Sequence, residues 1–224
     1  GLDGITLLLK YQAEKEGLLI DLPRLVEEGR FVGQPYVLMS MVNEHGDLVA
    51  SNQKPFVFSN ISDREHFLVH RDGNVGLFIS KPVLGRSSGK WSIQLSRRIN
   101  KPDQSFGGVV VVSVDPYYFA EFYKQVDLGE QSIIALLGRD GNMRVRQSGN
   151  DINIGMDFSN NEIMEKIAVS TVGTLINQSP VDGYKRIRSY RVLREYPLVV
   201  LVGVTEEYAF KDLNQRITGY YGVC

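Results

Sequence analysis

The residues best suited to bind a small molecule lie in segment 62–70. Ser62 followed three positions later by Glu65 is the pattern of a capping box, which predicts a helix over residues 64–70. An arginine at the start of such a helix can hold a carboxylate with two parallel donors of its guanidinium group. Arg64 is therefore a candidate ligand anchor. The competing interpretation is a solvated arginine, which is the ordinary state of this side chain.

Two histidines in the same segment offer a second kind of chemistry. His66 and His70 are four positions apart and share a helix face, a spacing that can hold zinc. No third ligand is evident, and the glutamate precedes the first histidine, so the metalloprotease pattern is absent. A soluble metal-dependent hydrolase is thus an alternative function with few residues to support it. As a surface or pocket residue, His66 would titrate near neutral pH and make ligand sensing pH-dependent.

Later segments supply further candidates for a pocket. Trp91 opens a predicted strand that also carries Gln94, and ligand pockets favour an aromatic wall with a few polar groups. A core or sheet-surface tryptophan is the alternative. Lys81 and Arg86 add positive charge. We predict that Arg64, Lys81, Trp91 and Gln94 converge on one cavity in the first half of the chain, and that the second half has no cavity of comparable size.

Composition and missing motifs exclude several function classes. The formal net charge of −1 provides no general attraction to nucleic acid. The sequence has no Gly-rich phosphate loop, nucleophile elbow or CxxC pair, so we expect neither catalysis nor a cofactor for this chain. Cys224 is the single cysteine, which precludes an intrachain disulfide, and no stretch of 18 apolar residues occurs.

A repeat within the chain organises the elements that position these residues. Each half contains an apolar strand, a glycine turn and a second strand, and the turn glycines Gly46 and Gly141 are 95 positions apart. Each half then ends in an apolar strand followed by a capping residue, Asp115 or Thr205, and a helix. A repeat of this length is typical of tandem domains, because it is too long for a solenoid unit.

The order of the predicted elements indicates an α+β fold. Each half should form a module with a central antiparallel sheet of about five strands flanked by helices, and residues 3–20 are predicted to form one long N-terminal helix. The predicted divisions are an N-terminal helical segment 1–30, a first module 31–125, a second module 126–205 and a C-terminal helix 206–224.

Three stretches of the first module resemble a known family: residues 61–67, residues 79–83, and residues 90–99 followed by 107–110. With the leading helix and tandem PAS-like modules, the whole chain resembles a double Cache (PDC) sensor domain of bacterial membrane receptors. It is most similar to the sensors that precede diguanylate cyclase or histidine kinase modules.

The resemblance implies a function outside the cytoplasmic membrane. The domain would lie in the periplasm, between two transmembrane helices outside this chain, in a homodimeric inner-membrane receptor. Ligand binding in the membrane-distal first module would shift the helices that lead to the membrane. A dimerisation module with a vestigial pocket is a further alternative.

The resemblance also implies where the ligand binds. Amino-acid-binding members carry an Arg, one spacer and Trp-Tyr in the pocket helix, and an Asp on the last strand. Arg64 matches the Arg, whereas His66 and Phe67 replace the aromatic pair and Ser113 stands near the Asp position. A cationic pocket without an acid favours a small organic anion, such as a mono- or dicarboxylate. The complete candidate set is Arg64, His66, Phe67, Lys81, Arg86, Trp91, Gln94, Ser113 and Asp115, of which Asp115 is the residue that could restore the missing acid.

Overall fold

The computed structural model describes residues 2–31, 36–123, 126 and 128–210. The chain divides into two compact units, Gly1–Pro116 and Tyr117–Cys224. Each unit contains a six-stranded sheet in which the strand pairs are antiparallel. The predicted α+β class with two tandem sheets is confirmed, with one strand more in each sheet than expected. No helix in the described ranges is long and apolar enough to cross a membrane.

The first unit opens with two helices, α1 (Leu2–Glu16) and α2 (Leu22–Glu27). Six strands and one further helix follow in the order β1 (Tyr36–Asn43), β2 (Leu48–Ser51), α3 (Glu65–Arg71), β3 (Phe78–Ile79), β4 (Val83–Leu84), β5 (Trp91–Asn100) and β6 (Phe106–Val114). The strand order in the sheet is β2-β1-β6-β5-β3, and β4 pairs with β5.

Helices cover both faces of this sheet. On one face α1 packs against β5 and β6, and Arg97 of β5 donates to Asp3 of the helix at 2.5 Å. On the other face α3 buries Phe67 in a cluster with Val42, Val109 and others. Because side chains alternate along a strand, β5 and β6 present different residues to the two helices.

Helix α1 is shorter than the predicted 3–20. It ends at Glu16 because Gly17 adopts a φ of +93°, the left-handed conformation that commonly terminates a helix. The Gly17 amide still donates to the Ala13 carbonyl at 3.0 Å. The expected single helix is therefore wrong over its last four residues.

The start of α3 also differs from the prediction. The helix begins at Glu65, and its N-cap is Arg64, which makes no side-chain capping bond. The Ser62 hydroxyl donates instead to the Asn60 side-chain carbonyl at 2.7 Å. The capping box is therefore wrong, because the serine stabilises the turn before the helix; burial of residues such as Phe67 holds the helix on the sheet.

The second unit repeats this order. Its elements are α4 (Pro116–Tyr123, which begins at the boundary), β7 (Ile133–Gly138), β8 (Met143–Ser148), β9 (Asp151–Asn153), α5 (Glu162–Val169), β10 (Val172–Gln178), β11 (Lys185–Val192), β12 (Leu198–Thr205) and α6 (Glu206–Ala209). The strand order is β10-β11-β12-β7-β8-β9. The short strand β9 was not predicted. Of the predicted C-terminal helix 206–224, residues 211–224 lie outside the described residues.

Matching bonds show the repeat at atomic level. Gly46 and Gly141 both have positive φ, +86° and +77°. The Gly46 carbonyl accepts from the Ile61 amide at 2.8 Å, and the Gly141 carbonyl accepts from the Phe158 amide at 2.8 Å. Each hairpin turn is thereby tied to the segment that precedes α3 or α5. At the end of the second unit, Thr205 accepts from the Tyr208 amide at 3.3 Å and caps α6 as predicted.

Candidate ligand-binding site

A cleft opens in the first unit on the α3 face of the sheet. Its floor comes from β1, β5 and β6. Its sides come from the start of α3 and from residues 83–88, which are strand β4 and the turn after it and which we call the β4–β5 loop. The cleft has a volume of about 470 Å³ including its open mouth. The centre of a water molecule can lie anywhere within about 50 Å³ of this volume. Since one water needs roughly 10–15 Å³ by this measure, the cleft suits a ligand of a few heavy atoms.

Two polar side chains form a fixed part of the floor. Gln94 of β5 lies opposite Ser113 of β6 in the sheet register. The Ser113 hydroxyl donates to the Gln94 carbonyl oxygen at 2.6 Å, and the Gln94 amide donates to the Ser92 hydroxyl at 2.8 Å. All three side chains are buried. The floor is therefore preorganised and polar but carries no charge.

Arg64 supplies positive charge at the side of the cleft. One of its terminal nitrogens donates to the Leu84 carbonyl at 3.3 Å, which connects the start of α3 to the β4–β5 loop. No Asp or Glu occurs among the described cleft-lining residues. Within the described ranges no carboxylate pairs with Arg64, so its guanidinium is available to an anionic ligand.

Arg86 also lines the cleft, but its charge is already paired. Its two terminal nitrogens donate to the two carboxylate oxygens of Asp63, each at 2.6 Å, and one also donates to the Asn60 carbonyl at 2.7 Å. Hydrogen bonding to Arg86 lowers the pKa of Asp63 to about 2. This pair fixes the β4–β5 loop to the start of α3, which leaves Arg86 poorly placed to serve as the predicted ligand cation.

His66 lines the cleft as a buried, neutral side chain. Burial, together with the nearby charge of Arg64, lowers the pKa of His66 to about 4. The expectation that His66 titrates near neutral pH is therefore wrong. His66 is uncharged at pH 7 and contributes a hydrogen-bonding group rather than a cation.

His70 lies deeper under the helix. It is fully buried, one ring nitrogen lies 3.0 Å from the Ser96 hydroxyl, and burial lowers its pKa to about 4. The described part of the chain contains no group of three His, Cys, Asp or Glu side chains that could hold a metal ion. The spacing of His66 and His70 thus has no third ligand there to support the hydrolase alternative.

Four candidate residues do not line the cleft. Phe67 is only 1% exposed and packs edge-to-face on Phe106 with ring centroids 5.3 Å apart, so it anchors α3 to the core. Trp91 is 46% exposed, and strand alternation places it on the opposite face of β5 from Gln94. Lys81 is exposed outside the cleft, and Asp115 follows the end of β6. The predicted convergence is therefore wrong for Lys81 and Trp91.

The structure adds residues that the sequence analysis missed. The cleft is also lined by the apolar side chain of Leu38 and by four serines, Ser40, Ser59, Ser87 and Ser88. Leu38 and Ser40 could have been found, because they alternate along β1 and face Ser113 and Val111 of β6. Ser87 and Ser88 lie in a segment predicted only as a connector.

The prediction that the second module lacks a cavity of comparable size is wrong. One groove of about 630 Å³, again including its open mouth, is bordered by residues 156–161, Pro180 and Val181. Another of about 880 Å³ is bordered by residues that include Tyr123, Ile134 and Gln147. Both are lined in large part by connecting segments, which the repeat of strands does not constrain.

Comparison with known proteins defines the class. Residues 116–203 match a double Cache family model, dCache_1_like, described as a histidine kinase sensor domain. The extracellular domain of rpHK1S-Z16, assigned to the histidine kinases, is 30% identical over 94% of this chain and 88% of its own, with a TM-score of 0.82. The two tandem antiparallel modules thus match an extracellular sensor domain in sequence and in fold.

The chain belongs to the double Cache family of sensor domains. The same fold occurs in the ligand-binding domain of the Pseudomonas aeruginosa PAO1 amino acid chemoreceptor PctB, solved with L-Arg (15% identity, 97% of this chain and 86% of that one, TM-score 0.66). It also occurs in the periplasmic sensory domain of the Campylobacter jejuni chemoreceptor Tlp1 (12% identity, 94% and 91%, TM-score 0.68). A search of curated proteins returned no match.

Proposed function

We propose that this chain is the periplasmic sensing domain of an inner-membrane signalling receptor and that the first-unit cleft binds a small organic anion. The observation that supports the ligand class is the charge of the cleft. Arg64 lines it without a carboxylate partner, and no acidic side chain is found in the described lining. The carboxylate of a ligand would complete this arrangement.

Physical chemistry favours an anion over a zwitterion here. A guanidinium group at the side of a partly desolvated cleft gains most from a planar, bidentate oxyanion. An α-ammonium group would need an acceptor with negative charge, and the fixed Gln94–Ser113 pair offers only neutral oxygens. The pKa of His66 is lowered to about 4. At neutral pH its uncharged ring therefore neither adds positive charge to the cleft nor balances the ammonium group of a ligand.

The size of the cleft limits the ligand further. The space open to water centres, about 50 Å³, corresponds to a few waters, which matches a monocarboxylate or a short dicarboxylate. Two proteins with this fold are solved with amino acids, PctB with L-Arg and Mlp24 with asparagine. They share 15% and 14% identity with this chain, so an amino acid is the competing outcome of the experiment below.

Signalling would follow from a change in the β4–β5 loop. In the described structure this loop is bonded to Arg64 through the Leu84 carbonyl. A carboxylate on Arg64 would replace that bond and alter the relative stability of two loop positions, which is a population shift. In a homodimeric receptor, the shift would reach the helices leading to the membrane and then a histidine kinase module or, as an alternative, a diguanylate cyclase.

The test is calorimetric titration of the purified domain with acetate, lactate and succinate and, separately, with neutral amino acids. We expect binding of at least one carboxylate, and Arg64→Ala should weaken it by about tenfold or more, since a charged hydrogen-bonded pair contributes about 1.5–3 kcal/mol. Arg71→Ala is the matched control, because Arg71 lies at the other end of α3, is exposed and pairs with Asp72.

Two results would contradict the proposal. Tight binding of an amino acid that survives Arg64→Ala but is lost in Asp115→Ala would show that an acid, not Arg64, selects the ligand. A folded domain that binds none of the carboxylates would favour the alternative of a dimerisation module with a vestigial pocket. Circular dichroism of each variant verifies that it is folded.

A further inference from the structure

Three arginines are buried beneath the helix side of the second sheet. Arg146 of β8, Arg186 and Arg188 of β11 are 2%, 0% and 3% exposed. The register pairs Arg146 with Ala135 and Arg188 with Gly203, so all three share the face that carries the main core cluster of the unit. Buried arginines are rare unless they are paired, so each of them requires an account of its hydrogen bonds.

One carboxylate pairs with two of them. Asp182 accepts from both terminal nitrogens of Arg186, at 2.7 and 2.8 Å, and also from Arg146. Arg186 further donates to the Gln131 carbonyl at 2.6 Å, and Arg146 to the Asn153 side chain at 2.9 Å. Burial by itself would raise the pKa of Asp182. The hydrogen bond from Arg186 and the charge of Arg146 outweigh this effect and lower the pKa below its ordinary value.

Arg188 has no such partner. Its Nε and Nη2 atoms are buried and have no acceptor in the described parts of the chain. Space for the side chain comes from Gly203, where a Cβ atom would lie 2.9 Å from the Arg188 Cγ. The nearby carboxylate of Glu162 is exposed and accepts from the Asn177 amide at 2.8 Å. The cluster therefore holds three buried guanidinium groups and one partly exposed carboxylate, that of Asp182.

The two unpaired nitrogens of Arg188, Nε and Nη2, are the pair that suits a carboxylate ligand. Nε and Nη2 lie on the same edge of a guanidinium group, and their two N–H bonds run parallel, which is the geometry that binds both oxygens of a carboxylate. A buried cation with both of these donors unsatisfied is costly, and a bound anion removes the cost. Burial and the charge of Arg186 lower the pKa of Arg188, although the charges of Glu162 and Asp182 oppose this shift.

We propose that the Nε–Nη2 edge of Arg188 anchors a second anion-binding site, within the core of the second unit, that takes a small carboxylate. The site is separate from the first-unit cleft and uses none of its residues. Occupancy links the stability of the second module to the concentration of a small carboxylate, because a ligand that binds only the folded state stabilises that state.

The experiment observes Arg188 directly. The domain carrying Arg64→Ala, which removes the first-unit anchor, is labelled with ¹⁵N and titrated with acetate at constant ionic strength set by chloride. We expect the Nε–H resonance of Arg188, assigned by its absence in Arg188→Met, to shift and saturate. We also expect acetate to raise Tm by about 4 °C or more near saturation.

Substitutions separate binding from structure. Arg188→Lys keeps the charge without the two parallel donors, and should weaken acetate binding by about tenfold or more. Arg191→Met is the matched control, because Arg191 lies on the same strand with an exposed side chain and should leave the titration unchanged. If the Arg188 resonance does not move in a folded domain, or if Arg188→Lys binds acetate as tightly as its parent, the proposal is overturned, while the cleft proposal is unaffected.

Discussion

Arg86 and Asp63 form a bidentate ion pair, with both terminal nitrogens of the arginine 2.6 Å from the two carboxylate oxygens. The residues are 23 positions apart and belong to two connecting segments, one before α3 and one after β4. Their pairing closes the β4–β5 loop over the start of α3. Arg86, which the sequence predicts as a ligand-binding residue, therefore holds the β4–β5 loop at the side of the cleft.

Removing this pair should loosen the loop more than it destabilises the unit. Arg86→Ala is expected to increase amide hydrogen exchange in residues 83–88, while Tm changes little, because the pair is solvent-exposed and exposed pairs contribute weakly to stability. Asp63→Asn should reproduce the effect. Arg71→Ala, which breaks the exposed Arg71–Asp72 pair, is the control and should leave exchange of the loop unchanged.

The pH range of the pair follows from Asp63, whose folded pKa of about 2 lies below its unfolded value near 3.9. Its contribution is complete above about pH 4 and is lost as the pH falls toward about 2. Local opening of the loop, measured by hydrogen exchange where the unit stays folded and corrected for intrinsic rates, should therefore stay constant from about pH 7 to about pH 4. Loosening of the loop between about pH 6 and 5 would show that another group controls it.

The buried histidines predict acid sensitivity at higher pH. The folded pKa values of His66 and His70, about 4 each, lie below the unfolded value near 6.5, so the unfolded state takes up protons first. Stability should therefore fall as the pH drops from about 6.5 toward 4, by up to roughly 1.4 kcal/mol per pH unit for each histidine. Urea unfolding at several pH values measures this slope.

A single substitution tests whether His66 causes this pH dependence of stability. His66→Gln should make the free energy of unfolding less dependent on pH between about 6.5 and 4, since one of the two buried titrating groups is gone. His45→Gln is the control, because His45 is exposed in the β1–β2 turn. Equal slopes for the parent and His66→Gln would show that His66 titrates alike in the folded and unfolded states.

The elements were more predictable than the site. Apolar strands, glycine turns and their repetition revealed two tandem antiparallel modules, because side-chain burial imposes its period on the sequence. The alternation of side chains along a strand also contradicts the prediction that Trp91 and Gln94 line one cavity. They are three positions apart on β5 and must face opposite sides of the sheet. That conflict was visible in the sequence.

Other features could not be predicted, because they depend on contacts between distant segments. The Arg86–Asp63 pair joins two loops whose paths no local pattern fixes. Arg186 and Arg188 alternate along β11 as solvent-facing charges usually do, yet they are buried, since Asp182 from the preceding turn and Gly203 from β12 accommodate them. Burial of charge depends on the tertiary partner, which sequence periodicity does not reveal.

The glycines of the two hairpin turns should be among the residues that tolerate substitution least. A Cβ at Gly46 would lie 2.6 Å from the Ser62 amide nitrogen, and the φ of +86° is unfavourable for alanine. Gly46→Ala should therefore destabilise the first unit by about 1–3 kcal/mol or more. Gly17→Ala has a similar φ of +93° with open space around it, so its smaller effect isolates the backbone strain from the steric clash. Chemical denaturation measures both, and equal effects would contradict the clash.

Charge selection in the first-unit cleft can be reversed at one residue. Ser113 lies on the cleft floor, where its hydroxyl donates to Gln94. Ser113→Asp would place a carboxylate beside the expected position of the ligand. A monocarboxylate should then bind at least about tenfold more weakly, because like charges in a partly desolvated site repel.

The same substitution should favour a different ligand. With Arg64 for the carboxylate and the introduced side-chain carboxylate for the ammonium group, the cleft would offer both charges that an α-amino acid requires. Amino-acid binding should therefore appear or strengthen in calorimetric titrations of Ser113→Asp. Ser113→Asn is the matched control, since it has nearly the same shape without the charge and should produce no such gain. If Ser113→Asp and Ser113→Asn weaken carboxylate binding equally, steric disturbance rather than charge decides the selectivity of the cleft.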